Sequence, residues 1–215
     1  MSLHSTCPSP VEPGPIGCFA HTKDIIEKPM DIDKLQDVQP EVLARLRLAV
    51  EANTRELQIA MEQGRISTVA WLTRNLLELM LWSEYCTKSP SNAKEFVLDS
   101  ARDANDALDI PDGLFADDFS FRAAREELIQ KSKADGFETL DESYTRVSKI
   151  AKDLGKGEVF KYLNKLLSKF AHPTALSIIY IGGQAERGIT EKFSTLGMRM
   201  SEATLKVLRK PGRAD

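Results

Sequence analysis

The sequence predicts an all-α domain, a bundle of about six or seven helices built on a four-helix core. Three observations carry this. Ile66 to Cys86, ISTVAWLTRNLLELMLWSEYC, is apolar around most of a helical circumference, the pattern of a helix at the centre of a core. The segments around it repeat apolar residues at three- and four-residue steps and stop at Gly, Pro or turn clusters. No partner strand is evident, so the short apolar run TALSIIYI, Thr174 to Ile181, is also read as helix.

The chain of 215 residues allows one sizeable core, and 42% hydrophobic with 28% charged residues is ordinary for a soluble globular protein. A net charge of -3 gives no general attraction to a phosphate backbone, so any nucleic-acid binding must rest on a local patch. The cysteine count is odd, and Cys86 ends the apolar helix, where a reduced thiol packs well. With no secretory leader and no apolar run of about 18 residues, the expectation is a cytoplasmic protein without a membrane span.

Residues 1–39 carry clustered prolines and read as an N-terminal arm, followed by a helical-bundle domain over 40–210 and a tail over 211–215. Within the arm, His4, Cys7, Cys18 and His21 could close a tetrahedral zinc site. Familiar zinc frameworks begin from Cys pairs, so the spacing is read as coincidence and no metal or cofactor is assigned.

The first helix should begin near Pro40, run to about Gln63 and stop at Gly64, with Leu43, Leu46, Val50, Leu57 and Ala60 facing the core. Asn53 falls in that stripe, where it either reaches Arg74 or Glu78 or stays locally solvated. The apolar helix follows after a turn so short that the two should form an antiparallel hairpin. A third helix, capped by Ser91 or Asn92 and running to about Leu108, reads as an outer helix with Asp99, Arg102, Asp103 and Asp106 in solvent. Further helices are expected from Asp117 or Asp118 to Ala134, from Asp141 to Leu154, and from Lys156 or Gly157 to Ala171. A last one, from Thr190 to Leu208, closes the bundle.

The helix ending at Ala171 matters most for chemistry. Val159, Phe160, Leu163, Leu166, Leu167 and Phe170 should share its apolar face, with Lys161, Lys165, Ser168, Lys169 and His172 on the polar one. No nucleophile elbow, phosphate loop or His-Glu zinc motif is present. Two constellations remain. Arg74 and Glu78, at i and i+4 in the apolar helix, could orient a substrate or simply fix register as a buried ion pair. Ser168 and His172, flanked by Lys165 and Lys169, could supply acid-base chemistry beside a phosphate, or form a solvated basic face.

Arg74-Asn75-Leu76-Leu77-Glu78 and Tyr162…Leu167-Ser168-Lys169-Phe170-Ala171-His172-Pro173 give the chain a further meaning. Over about 40–210 it resembles bacterial proteins of unknown function with a helical bundle related to the HEPN superfamily (higher eukaryote and prokaryote nucleotide-binding). Many HEPN domains are dimeric, metal-independent ribonucleases whose late helix carries Arg, a polar residue and His; others are antitoxins or binding modules. The resemblance implies a homodimer that binds or cleaves RNA, in phage defence or a toxin-antitoxin pair. It puts Arg74, Glu78 and His172 in one catalytic site, with Lys165, Ser168 and Lys169 on the substrate. The motif is degenerate, since the family's Arg would fall at Leu167, Leu166 or Lys165, and only Lys165 is basic. The alternative reading is a non-catalytic helical interaction or dimerisation module.

Overall fold

The computed structural model describes residues 38–109, 120–134, 146–174, 178 and 184–209. Among these residues there are seven helices and no strand: α1 Val38–Glu62, α2 Ile66–Lys88, α3 Pro90–Ala107, α4 Phe121–Ala134, α5 Val147–Asp153, α6 Gly157–Ala171 and α7 Gln184–Leu208. None of them is long and apolar enough to cross a membrane. His4, Cys7, Cys18 and His21 of the arm, the tail over 211–215 and most of the run from Thr174 to Ile181 lie outside the described residues.

The glycine stops are explicit. Gly64 has φ 63, Gly64 N donates to Met61 O at 3.0 Å, and Arg65 N donates to Ala60 O at 2.9 Å. This Schellman pattern satisfies the last carbonyls of α1 and turns the chain straight into α2. Gly155, with φ 70, closes α5 in the same way through Lys156 N and Ala151 O. Only glycine takes this left-handed conformation without steric cost.

Helix α2 packs against α1, α3, α5, α6 and α7, so the most apolar stretch is also the central one. Leu76, Leu77 and Leu81 are fully buried, each contributing roughly 1.5–3 kcal/mol by leaving water. The four-helix core is α1, α2, α6 and α7, tied at its far side by Phe170 and Phe193, whose rings meet edge to face at 5.4 Å. Helix α7 contributes more than the expected Phe193, Met200 and Leu208. Thr190, Ser194, Gly197, Ser201 and Thr204 are also buried, a seam of small residues that lets α7 approach closely. Across it Thr54 Oγ1 and Ser201 Oγ are 2.6 Å apart, and Thr73 Oγ1 donates to Phe193 O at 3.1 Å.

Several sequence expectations need correction. Helix α3 starts two or three residues earlier than expected, because Ser89 Oγ caps it by accepting from Asn92 N at 3.1 Å, with Pro90 in the first turn. Its supposed solvated face is partly buried: Asp99 is 5% and Arg102 6% exposed. Buried charges require partners, and Arg102 Nη1 meets Glu95 Oε1 at 3.2 Å and Asp99 Oδ1 at 3.4 Å. Asn105, also buried, accepts from Arg125 Nε of α4 at 2.8 Å.

Helix α4 starts at Phe121, where Ser120 Oγ accepts from Ala123 N at 3.2 Å; Asp117 and Asp118 lie outside the described residues. Helix α5 starts only at Val147, since Arg146 is extended with ψ 132. Asn53 reaches neither Arg74 nor Glu78; its Oδ1 accepts from Asn75 Nδ2 at 3.4 Å. On α6, Phe160, Leu167 and Phe170 are buried, whereas Val159 and Leu166 are exposed together with Tyr162. The apolar residues thus form two adjacent stripes, and one alone meets the core.

Candidate functional site

Trp71, Arg74, Asn75 and Glu78 are spaced i, i+3, i+4 and i+7 and so share one face of α2. This face is the exception to its apolar girth. Arg74, Asn75 and Glu78 are half-buried, and Trp71, expected in the core, is 48% exposed. The face lies between α1, which Asn75 meets, and α6, which Arg74 meets, and the strip of surface between the two helices is termed the groove. Asn53 stands on the α1 wall, opposite Asn75.

Asn164 stands on the α6 wall. Its Oδ1 accepts from Arg74 Nε at 2.8 Å, while Glu78 Oε1 lies 3.2 Å from the same nitrogen. Both contacts run through Nε, leaving the terminal fork of the guanidinium for another acceptor. A planar fork of this kind pairs with two oxygens of a phosphate or carboxylate. The hydrogen bond to Asn164 and the charge of Glu78 beside the same nitrogen hold the guanidinium in place.

The register between α2 and α6 places the remaining candidates. Lys156 is ion-paired with Glu84, and Asn164 is bonded to Arg74, so the helices run antiparallel. Continuing at 1.5 Å per residue, Ser168 comes level with Trp71 and His172 level with Ser67, about 12 Å along the groove from Asn164. The structure therefore brings Arg74, Glu78 and Asn164 together, with Ser168 one turn on and His172 two turns on.

Ser168 is not poised as a nucleophile: its Oγ donates to Asn164 O at 2.6 Å, within its own helix. His172 is the C-cap of α6, extended at φ -106 and ψ 153 ahead of Pro173, and its backbone N donates to Ser168 O at 3.3 Å. His172 is exposed. Lys165 and Lys169 are exposed on α6 beside Lys161, and none of the three is ion-paired with a described residue. They supply the local positive charge that the whole chain lacks.

Two further features escaped the sequence reading. Trp71 belongs to the groove, which its spacing to Arg74 and Glu78 already implied. Val159, Tyr162 and Leu166 form an exposed apolar stripe on α6, with Lys161 Nζ 5.8 Å from the Tyr162 ring centroid. Cys86 carries no reactivity: burial pushes its thiol up to about 12. Tyr85 is raised as well, by burial first and then by Glu95 and Asp153. Among the described residues no three His, Cys, Asp or Glu side chains gather to hold a metal ion.

The profile of a family of unknown function (DUF5677) matches residues 42–189, from within α1 to the first turns of α7, which takes in every residue of the groove. No curated protein and no solved structure matches the chain.

Proposed function

We propose that this chain, which belongs to the DUF5677 family of unknown function, is an RNA-binding helical protein whose ligand lies in the groove between α2 and α6. The observation that carries the reading is the Arg74 guanidinium, which meets Asn164 and Glu78 through Nε, so that its terminal fork is left to take a further acceptor. Phosphate oxygens suit that fork, and Lys165 and Lys169 add positive charge along the same wall. The reading is HEPN-like: an arginine, a polar residue and a histidine serve one ligand. Here the arginine would come from α2 rather than from the helix that bears His172.

In the cleaving form of this reading, Arg74 anchors the strand and His172, two turns away, exchanges a proton with the ribose or the leaving oxygen at another phosphate. Cleavage would need no metal. The setting such chemistry fits is the cytoplasm of a bacterium, in phage defence or a toxin-antitoxin pair.

The test is RNA binding by fluorescence anisotropy over a salt series, beside gel analysis of RNA incubated with wild type and His172→Ala. Binding that weakens linearly in log salt and is reduced in Arg74→Ala supports the groove; no binding at low salt overturns it. Cleavage by wild type alone assigns His172 a catalytic role, and equal cleavage by both removes it.

A second reading is favoured by the exposed stripe of Val159, Tyr162 and Leu166. Such a stripe is a contact surface for a helical module, and a second copy of the chain is its simplest occupant. Homodimer formation through α6 is compatible with the groove, since the stripe and Asn164 lie on opposite flanks of the buried face.

A further inference from the structure

We infer that Trp71 is a stacking platform for an unpaired nucleobase, so that the groove takes single-stranded rather than duplex nucleic acid. The inference rests on the phosphate-binding reading above and adds to it a residue and a ligand form. Tryptophan is seldom left in water, yet Trp71 is 48% exposed on a helix that is otherwise the centre of the core. It lies one helical turn from Arg74 on the same face, and the register puts it level with Ser168, between the Arg74 and Asn164 contact and the position of His172.

A strand running along the groove would therefore meet, in order, a guanidinium fork, a half-exposed indole and a histidine. The fork takes phosphate oxygens and the indole takes the face of a base. In a duplex both faces of an internal base are covered by its neighbours, so the indole has nothing to stack on. Every base has a π face, so stacking here selects for an unpaired base without choosing its identity.

The chain has two tryptophans. In a Trp82→Phe background Trp71 is the sole indole, and its fluorescence reports directly on the groove. The probes are a single-stranded oligoadenylate, an abasic strand of equal length and a duplex of the same sequence. The expected result is quenching of Trp71 by the oligoadenylate, and neither quenching nor comparable affinity with the other two. Trp71→Ala in the otherwise wild-type chain should weaken oligoadenylate binding about tenfold to a hundredfold, with Trp71→Phe retaining most of it. This anisotropy measurement decides the matter if Trp82→Phe does not fold.

Abasic and base-bearing strands binding equally, with Trp71→Ala unchanged, would overturn the stacking role and leave the phosphate groove standing. Absence of binding by every probe would overturn both. Trp71→Ala that shifts sedimentation of the chain without changing oligoadenylate affinity would assign the indole to a protein contact and likewise overturn the inference.

Discussion

Arg74 Nε donates to Asn164 Oδ1 at 2.8 Å, joining the central helix α2 to α6 across 90 residues of sequence. The contact gives one constellation to two sets of residues that look independent along the chain. It also orients the guanidinium, since Glu78 Oε1 approaches the same nitrogen at 3.2 Å.

Replacing Arg74 by Ala should therefore weaken RNA binding about tenfold or more and reduce the slope of log affinity against log salt by about one. Arg74→Lys should recover the salt slope but not the affinity, because an ammonium lacks the fork. The pair is partly solvated, so unfolding free energy should change by only about 1 kcal/mol. Anisotropy titrations at several salt concentrations, with urea melts alongside, check all three statements.

Gly197 should not tolerate alanine. A Cβ there would lie 2.6 Å from Leu57 Cδ2 and 3.0 Å from Thr73 Oγ1. Leu57 and Thr73 are fully buried and cannot swing away. Alanine gains about 1 kcal/mol in helix propensity, while overpacking costs about 1–3 kcal/mol, so a net loss is expected, and a larger one for Gly197→Val. A urea midpoint at or above that of wild type would show that α7 has room to withdraw.

Alkaline pH should destabilise the fold through Cys86. Its folded thiol is pushed up to about 12, whereas the unfolded thiol ionises near 8.5, so above that pH the unfolded chain binds fewer protons and stability falls. The expected loss is about 2 kcal/mol between pH 8 and 10, absent from Cys86→Ala. Unfolding curves of the two proteins at both pH values measure it. In a chain carrying Cys7→Ser and Cys18→Ser, a thiol reagent at pH 8 should modify Cys86 only after denaturation.

Tyr162→Glu and Leu166→Glu should dissociate a homodimer held by the α6 stripe while leaving the monomer's stability nearly unchanged. Both side chains are exposed, Tyr162 at 64%, and surface substitutions of this kind stay within about 0.5 kcal/mol. Sedimentation of wild type and variants is the measurement; an unchanged assembly state would remove the stripe from any interface.

Local signals made much of the fold legible. Gly64, Gly155 and Pro173 stop helices by backbone chemistry that acts within a few residues, and each stop stands where the sequence put it. The short turn made α1 and α2 a hairpin. Periodicity failed where it had to state what a face meets: Asp99 and Arg102 look like a solvated face in isolation, yet both are buried in the fold. Val159 and Leu166 share a side with Phe170, yet the core reaches only part of that side.

The candidate site divides in the same way. Sequence spacing alone placed Arg74 beside Glu78, and Ser168 in line with His172, because a helix repeats every 3.6 residues whatever surrounds it. That Asn164 takes Arg74, that Ser168 gives its proton to its own helix, and that Trp71 opens onto the groove depended on the register between α2 and α6. Register is set by side-chain packing between segments distant in sequence, such as Lys156 against Glu84, and no local period encodes it.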